Sequence, residues 1–245
     1  IATVLSNSFG FGGNNAALVI GTPRGPATAS SARSRPPLTV TATACLTGAG
    51  HTPATWEAFS TGRSCGGCLD DGTLSEGLPL RTIRRLKRLP KLTLALASRA
   101  CREVAAGRMP VAISLGTAWG ALSETHAFLQ RLFETGQQFP SPTDFIGSVH
   151  NAPAGQIAML LGARGANVTT SGGDGSFEQA LLAADLLTCD PSGPILVVGA
   201  DEGHSVLSPL LDGSVRAAAV LADGGGALLL QRGCGHDGPT IALLA

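Results

Sequence analysis

Wholly apolar segments that alternate with helical patterns constrain the fold of this chain more than any other feature. "VAISLG" (111–116) and "ILVVGA" (195–200) have the composition of strands buried on both faces, and helical patterns cover 121–136 and 176–187. Such strands occur in sheets whose two faces are covered by helices. We therefore predict an α/β fold with a mostly parallel sheet. "AAAVLADGGGALLLQR" (217–232) predicts two more strands around a triple-glycine turn, which would make the sheet mixed.

The overall composition supports a folded protein and argues against several classes of partner. Of the 245 residues, 44% are hydrophobic and 14% are charged, so the chain can bury a sizeable core. The formal net charge is zero, which argues against nucleic acid or an anionic membrane surface as the main partner. A neutral, apolar chain tends to associate, so we expect a partner subunit. No apolar run reaches about eighteen residues, which predicts no membrane span.

The cysteines point to reduced thiols rather than to a metal site. Only Cys65 and Cys68 form a C-x-x-C pair. A structural zinc site needs a second pair of cysteines or histidines at matching spacing, and none follows. Buried, reduced thiols fit a cytoplasmic location. We predict neither a metal nor another cofactor.

Composition divides the chain into three parts. Residues 1–20 have the pattern of a strand, a glycine turn and a second strand, and residues 21–37 are rich in Pro, Ser, Arg and Gly, which predicts a linker. Residues 38–245 are expected to form one larger domain. Its other predicted elements are a strand at 38–48, a helix at 52–62 with Thr52 as N-cap and Pro53 at its first position, a loop at 63–80, a basic segment and helix at 81–107 ending at Gly107, a proline-rich loop running into a helix at 139–162, and a strand and turn at 166–173.

Several stretches, in order along the chain, resemble the β-ketoacyl synthases, the condensing enzymes of fatty acid and polyketide synthesis. "SNSFGFGGNNAALVIG" (6–21) is similar to the C-terminal signature of that family. The stretches similar to its N-terminal half are "LTVTATACLTGAGHTPATWEAFSTG" (38–62), "LTLALASRACREV" (92–104), "ISLGTAWG" (113–120), "NAPAGQIAMLLGARGANVTTSGG" (151–173), "ILVVGADE" (195–202) and "ADGGGALLLQR" (222–232). The resemblance implies a thiolase-like half-domain.

The same resemblance indicates that the catalytic groups are missing. In the family, the strand equivalent to 167–173 ends in Ala-Cys, and the cysteine at a helix N-terminus is the nucleophile. Aligned residue by residue, Ser171 takes the place of the alanine and Gly172 that of the cysteine, so no side chain is there to acylate. A shift by one residue brings Ser171 to the nucleophile position, where it would need a general base. The family's two catalytic histidines lie in its C-terminal half, of which this sequence matches only the last strands.

The first segment resembles an oxyanion loop, whose backbone N–H helps hold the developing charge in the family. The residues concerned are Phe9, Gly10, Phe11, Gly12 and Gly13. We favour an origin as the tail of an upstream ketosynthase joined to this chain. A permuted segment that folds back to supply missing strands, or a segment without fixed structure, remains an alternative.

A half-domain of this family would expose a large apolar face, which soluble monomers avoid. We therefore expect a non-catalytic chain-length factor that pairs with an active ketosynthase subunit, or with itself, and serves an acyl carrier protein in a fatty acid, polyketide or aryl polyene-like pathway. The strand before residue 172 lies at the dimer interface of the family. The expected interface residues are Val168, Thr169, Thr170, His150 and Asn151.

Two other functions stay open from the sequence. One is a thiolase-like acyltransferase or hydrolase with a relocated nucleophile such as Ser171 or Ser176. The other is a scaffold that binds acyl carrier protein, or a decayed remnant. The loop with Asp201, Glu202 and His204 follows a predicted strand, where α/β proteins often place functional groups, although a solvated loop is an alternative. A basic cluster could dock an acidic carrier protein or form a solvated helix face. Its members are Arg81, Arg84, Arg85, Lys87, Arg88 and Lys91.

Overall fold

The structure is a computed structural model that describes residues 3–9, 15–21, 36–136, 138, 140–187, 193–213, 221–233 and 238–241. The strands are β1 (Thr3–Phe9), β2 (Asn15–Gly21), β3 (Leu38–Thr47), β4 (Gly50–His51), β5 (Ala112–Gly116), β6 (Asn167–Thr170), β7 (Ile195–Asp201), β8 (Gly224–Arg232) and β9 (Thr240–Ile241). The helices are α1 (Thr52–Ser60), α2 (Asp71–Ser75), α3 (Leu80–Ile83), α4 (Arg88–Ala100), α5 (Leu122–Glu134), α6 (Pro142–Ser148), α7 (Ala152–Leu161), α8 (Ser176–Leu187) and α9 (Ser208–Leu211), with a 3-10 turn at Ala106–Arg108.

A mixed sheet forms the centre of the larger part of the molecule. Seven strands belong to it within the described residues, in the order β4-β3-β8-β7-β5-β6, and β9 also pairs with β3. The mixed sheet is as predicted. Fewer pairs of adjacent strands are parallel than expected. Among the described strands, only β5 with β6 and β5 with β7 run in parallel. The reason is β8, which inserts antiparallel between β3 and β7.

The three consecutive glycines lie inside β8 and not in the turn that the sequence predicted. Gly224, Gly225 and Gly226 pair with Asp201, Ala200 and Gly199 of β7. A Cβ on Gly225 would collide with the carbonyl oxygen of Gly199 and come within 2.8 Å of Leu96 on α4. The glycine therefore permits the close approach of helix and sheet. Of the strand predicted ahead of this segment, residues 217–220 lie outside the described residues, and 221–223 are irregular.

Both faces of the sheet are covered, as predicted. Along β7, Leu196 and Val198 face the core formed with α4 and α7, whereas Ile195 and Val197 face the core formed with α8. This alternation explains why the β7 sequence is apolar throughout. A buried hydroxyl follows the same rule on β5, where Ser114 donates a hydrogen bond to the carbonyl oxygen of Ala180 on α8 at 2.8 Å.

A β-bulge changes which face β3 buries. The pairing with β8 shifts between Val40 and Ala42. Val40 packs with the α8 core, but Ala44 and Leu46 belong to the α4 core although they have the same parity in sequence. One extra residue in the strand reverses the side to which later side chains point.

Several predicted boundaries were wrong. The N-cap of α1 is His51, and Thr52 is the first residue of the helix. The Thr52 hydroxyl accepts a hydrogen bond from the N–H of Cys45 instead of capping the helix. Helix α4 ends at Ala100, well before Gly107, which lies in the separate 3-10 turn at Ala106–Arg108. The predicted loop at 63–80 contains the short helix α2, whose N-cap side chain is Asp70. In the stretch 139–162 the predicted helix is α7, but the proline-rich part ahead of it contains the short helix α6, whose N-cap side chain is Ser141.

The N-terminal segment forms a separate two-stranded hairpin. Strands β1 and β2 are antiparallel, with Thr3 opposite Gly21 and Phe9 opposite Asn15. These are the two strands that the sequence predicted on either side of a glycine turn. Residues 10–14 and 22–35 lie outside the described residues, so the oxyanion-like loop at Gly10, Phe11, Gly12 and Gly13 and most of the predicted linker remain predictions.

Candidate functional site

The candidate site lies where the C-terminal ends of β5, β6 and β7 meet the N-terminus of α8. Parallel strands bring their C-terminal residues to one edge, and α/β proteins bind ligands there. A cavity of about 540 Å³ opens at this edge. Glycines form much of its wall, so backbone rather than side chains faces the space. The lining includes Gly116, Ser176, Asp201, Gly224, Gly225 and Gly226.

The residue aligned with the family's nucleophile, Gly172, is held by hydrogen bonds to its backbone. The hydroxyl of Ser176 accepts a hydrogen bond from the N–H of Gly172 at 2.9 Å and donates one to the carbonyl oxygen of Gly173 at 2.6 Å. A Cβ at residue 172 would lie 2.6 Å from Nε2 of Gln179. A side chain at residue 172 would therefore meet the amide of Gln179.

Both candidate serine nucleophiles donate their hydroxyl hydrogen to backbone. The hydroxyl of Ser171 donates to the carbonyl oxygen of Ala118 at 3.2 Å, and that of Ser176 to Gly173. Within the described residues, neither hydroxyl bonds to a histidine or a carboxylate. A serine nucleophile needs such a base within hydrogen-bond reach, so this geometry provides no activated serine.

Asp201 orders the turn that follows β5. Its Oδ1 accepts hydrogen bonds from the hydroxyl of Thr117 and the N–H of Ala118, both at 2.8 Å, and from the N–H of Trp119 at 3.4 Å. Burial raises the pKa of Asp201, and these hydrogen bonds lower it in part. The sequence indicated a functional or a solvated residue here; the structure gives Asp201 a positioning role.

The next residue, Glu202, binds the start of α5. Its carboxylate accepts hydrogen bonds from the N–H of Ser123 at 2.9 Å and from the Ser123 hydroxyl. A negative charge is favourable at a helix N-terminus. Burial nevertheless raises the pKa of Glu202. Like Asp201, this residue joins the end of β7 to a neighbouring segment.

His204 ends the same loop and stacks against a second histidine. Its ring lies 4.7 Å from that of His126 on α5, measured between centroids. Nδ1 accepts hydrogen bonds from the N–H groups of Val206 and Leu207. Burial, and then the neighbouring His126, lower the pKa of His204. The described residues contain no group of three or more side chains placed to bind a metal.

Arg88 and Asp223 form an ion pair that no pattern in the sequence indicated. Nε of Arg88 lies 2.9 Å from each carboxylate oxygen of Asp223, whose side chain is fully buried. Asp223 also accepts hydrogen bonds from the N–H of Leu69 at 2.9 Å and of Gly203 at 2.8 Å. This carboxylate therefore joins α4, the 63–70 loop and the loop after β7. The two residues lie far apart in sequence, so only the fold brings them together.

The predicted basic cluster is divided between ion pairs and solvent. Arg88 pairs with Asp223, and Nζ of Lys91 lies 2.8 Å from Asp71. The exposed members are Arg81, Arg84, Arg85 and Lys87. A basic surface thus remains at the turn between α3 and α4, although it is smaller than the sequence indicated.

The predicted interface residues lie around one edge of the sheet. Strand β6, with Val168, Thr169 and Thr170, is the last strand at this edge within the described residues. The His150 ring lies against Gly120, where it would be 2.8 Å from an added Cβ, and Ser171 contacts Ala118. The 117–120 turn thus connects the two parts of the predicted surface. Asn151 is the N-cap residue of α7.

The sequence model of the beta-ketoacyl synthase N-terminal domain matches residues 72–223. This match covers more than half of the chain. The chain belongs to the beta-ketoacyl synthase family. A comparison with curated protein sequences gave no significant match. The family match falls inside the predicted domain 38–245, whose boundaries remain a prediction.

Solved structures of ketosynthase-like proteins have the same fold as this family member. The ishigamide ketosynthase/chain length factor has a TM-score of 0.68 and 18% identity over 83% of this chain and 64% of that chain. The ketosynthase ApeO in complex with its chain length factor ApeC, from Xenorhabdus doucetiae, has a TM-score of 0.62 and 24% identity over 81% of this chain and 80% of that chain. The PfaC keto synthase-chain length factor has a TM-score of 0.63 and 15% identity over 96% of this chain and 33% of that chain.

These similarities confirm the ketosynthase-like fold that the sequence predicted. All three identities are below 25%, so they establish architecture only. This chain spans about two thirds of the length of the ishigamide protein. Within the described part of the chain, no helix is long and apolar enough to cross a membrane.

Proposed function

We propose that this chain acts as a non-catalytic ketosynthase-like subunit, a chain-length factor that pairs with an active β-ketoacyl synthase. The observation that carries the proposal is at residue 172. Where the family has its nucleophilic cysteine, this chain has a glycine, and Gln179 fills the adjoining space. Its candidate serines bond to backbone. These contacts favour a partner role over acyl transfer by this chain.

The sheet edge at β6 offers a surface for the partner. Asn167 Oδ1 and Thr169 Oγ1 are buried side-chain oxygens without a hydrogen-bond partner in the described residues. Buried polar atoms are normally paired, since an unpaired one costs free energy. Edge strands also present unpaired backbone groups that can join another chain's sheet. A partner strand at β6 would pair these backbone groups.

A second uncovered surface lies on α8. Leu182 is 44% and Leu186 54% exposed, although α8 packs its other face on the sheet. In a whole ketosynthase-like protein, a second half-domain would cover such a face. We therefore propose that this chain works in a larger assembly, formed by further segments or by a partner subunit.

Residues 1–21 support a joined arrangement of ketosynthase and chain-length factor. The hairpin resembles the end of a ketosynthase, and it precedes a ketosynthase-like beginning. The PfaC keto synthase-chain length factor chain matches 96% of this chain, against 83% and 81% for the other two structures. The additional share of this chain that the PfaC match covers is close in length to the segment ahead of β3. We propose that residues 1–20 derive from a preceding ketosynthase and that 21–37 form the linker.

The finer features of the function follow from the family resemblance. The substrate would be an acyl chain on an acyl carrier protein, in a fatty acid, polyketide or aryl polyene-like pathway in the cytoplasm. The exposed Arg81, Arg84 and Arg85 would face the acidic carrier protein. Electrostatic attraction of this kind raises association rates and weakens with salt.

Incubation with an acyl group bound as a thioester to an acyl carrier protein, followed by intact mass measurement, tests the catalytic assignment. The control is an active ketosynthase treated in the same way, which gains the acyl mass. We expect no adduct on this chain. An acyl adduct on Ser171 or Ser176 would overturn the proposal in favour of an acyltransferase.

Co-expression with an active ketosynthase chosen as the candidate partner tests the pairing. We expect the two to elute together in size-exclusion chromatography at micromolar concentration. Separate elution of both folded chains would contradict the proposed partnership and leave a scaffold or remnant.

A further inference from the structure

A cavity lies away from the candidate site, between the α3–α4 turn and helices α5, α6 and α7. It has a volume of about 310 Å³. At about 30 Å³ per water-sized group, it can hold roughly ten non-hydrogen atoms. Its lining includes the basic residues Arg81, Arg85 and Lys87 and the apolar residues Leu86, Ala127 and Ile146. An amphiphilic small molecule would meet both.

The cavity also contains a buried carboxyl group that lacks one partner. Glu124 is only 6% exposed. Its Oε1 accepts a hydrogen bond from the N–H of Lys87 at 2.8 Å, but Oε2 has no partner within the described residues. Buried polar atoms without partners are rare in folded proteins and often mark a ligand or water. Glu124 lines the cavity together with Arg81, Arg85 and Lys87.

The charges around the cavity favour an anion. Arg81, Arg85 and Lys87 make no ion pair within the described part of the chain, whereas Asp144 is neutralised by Arg131 at 2.7 Å. Burial raises the pKa of Glu124 to about 7, so near neutral pH its carboxyl can carry a proton. A protonated Oε2 is a hydrogen-bond donor and needs an acceptor.

We propose that this cavity binds a small organic carboxylate with a short apolar chain. The carboxylate lies between the basic turn and Glu124, whose protonated Oε2 donates a hydrogen bond to a ligand oxygen. The guanidinium of Arg85 supplies the opposite charge. The chain of the ligand packs along Leu86, Ala127 and Ile146. This site is formed by one chain and does not depend on the proposed pairing with a ketosynthase.

Binding should be coupled to a proton. The carboxylate ligand binds the form of the protein in which Glu124 is protonated and neutral. The affinity for the ligand therefore falls as pH rises through the Glu124 pKa of about 7. Between pH 6 and 8 the protonated fraction falls about tenfold, and the apparent Kd rises by about the same factor. The groups that act on Glu124 are the N–H and charge of Lys87, the charge of Lys91 and the carboxylate of Glu202, and the remaining charged groups of the cavity are Arg81, Arg85 and Asp144.

Calorimetric titration of the full 245-residue chain with octanoate tests the inference, because octanoate matches the cavity in size. We expect saturable binding that is about tenfold tighter at pH 6 than at pH 8. Glu124→Gln keeps a hydrogen-bond donor and should bind with nearly equal affinity at both pH values. Arg85→Ala should weaken binding several-fold, whereas Arg84→Ala, an exposed residue outside the cavity lining, should not.

Octanol serves as the uncharged control ligand and should bind far more weakly. No saturable octanoate binding at pH 6, equal binding of octanol, or equal effects of Arg85→Ala and Arg84→Ala would each overturn the site. Equal octanoate affinity of the wild type at pH 6 and 8 would overturn the role of Glu124. Circular dichroism of each variant checks that the fold is kept.

Discussion

The side-chain amide of Gln179 fills the space that a side chain at residue 172 would enter. A Cβ atom on Gly172 would lie 2.6 Å from Nε2 and 2.9 Å from Oε1 of Gln179. Gln179 lies in the first turn of α8, and helical side chains point back toward the N-terminus of their helix. The glutamine therefore reaches over the strand end that precedes the helix. In this chain the end of the Gln179 side chain lies directly beside the backbone of Gly172.

This contact predicts an energetic coupling between residues 172 and 179. Gly172→Ala should lower the free energy of unfolding by less than about 1 kcal/mol, since the new methyl group displaces only the flexible end of Gln179. In a Gln179→Ala background the same change should cost close to nothing. A double-mutant cycle with urea denaturation measures the coupling.

Gly173→Ala provides the matched control for this cycle. Its φ of +64° disfavours a side chain, and nothing lies within 4 Å of an added Cβ. Its cost of roughly 1 kcal/mol comes from the backbone and should be the same with or without Gln179. Additive effects of Gly172→Ala and Gln179→Ala would show that the contact is absent.

The elements that the sequence predicted well are those whose own residues determine their burial. Strand β7 is apolar at every inward position on both faces, and this composition alone indicated a strand covered on two sides. Helices α5 and α8 have apolar faces that end close to their structural limits. Such patterns are local, so they can be detected without the rest of the fold.

The predictions that were wrong depend on contacts distant in sequence. Gly225 suggested a turn, but the glycine is needed because Leu96 of α4 packs against β8. Arg88 suggested an exposed basic face, but Asp223 lies beside it only in the folded chain. No pattern near either residue reports the position of its partner. Gln179 was likewise not identified as a residue of the site.

The buried ion pair predicts a strong dependence of stability on Asp223. Asp223→Ala leaves Arg88 and the N–H groups of Leu69 and Gly203 without their acceptor. Breaking a buried pair in this way typically costs about 3–5 kcal/mol. Guanidinium chloride unfolding measures the loss.

An exposed ion pair gives the comparison for Asp223. Arg63 and Glu57 are 2.8 Å apart, with side chains 60% and 70% exposed. Arg63→Ala should therefore cost less than about 1 kcal/mol. A loss at Asp223→Ala no larger than that at Arg63→Ala would contradict the central role of Asp223.

Glu124 predicts a decrease of stability with rising pH. Burial raises the pKa of Glu124 from 4.5 to about 7 in the folded chain. Between these values the folded state holds a proton that the unfolded state has lost, so stability falls as pH increases across this window. At about 1.4 kcal/mol per pKa unit, the loss from this residue is of the order of 3 kcal/mol.

Glu124→Gln should remove this contribution. Relative to the wild type, the variant should gain stability between pH 5 and pH 8, as measured by urea denaturation at both values. Glu134→Gln, at the exposed end of the same helix, is the control and should follow the wild type at both pH values. A Glu124→Gln variant with the same pH profile as the wild type would show that Glu124 does not titrate in this window.

The edge of the sheet predicts a substitution that separates partner binding from folding. The carbonyl oxygen of Ala166 accepts a hydrogen bond from the N–H of Ile113 on β5, and that of Thr170 accepts one from the N–H of Thr117, the residue after β5. Alternate residues of a strand direct their N–H and C=O to opposite sides, so the backbone of Thr169 points away from β5. Thr169→Pro removes an N–H that points outward from the sheet. An edge strand tolerates proline at such a position, because no hydrogen bond within the sheet is lost. We expect a folded chain that no longer elutes with the ketosynthase.

Val168→Pro is the matched control, because by the same alternation its N–H points toward β5. This variant should lose stability by about 3 kcal/mol or more, as proline does where it removes an internal hydrogen bond. Circular dichroism and thermal unfolding distinguish the two variants, and size-exclusion chromatography with the co-expressed ketosynthase measures association. If Thr169→Pro is folded and still elutes with the partner, the partner does not pair with β6, and the interface must lie on another surface such as the exposed face of α8.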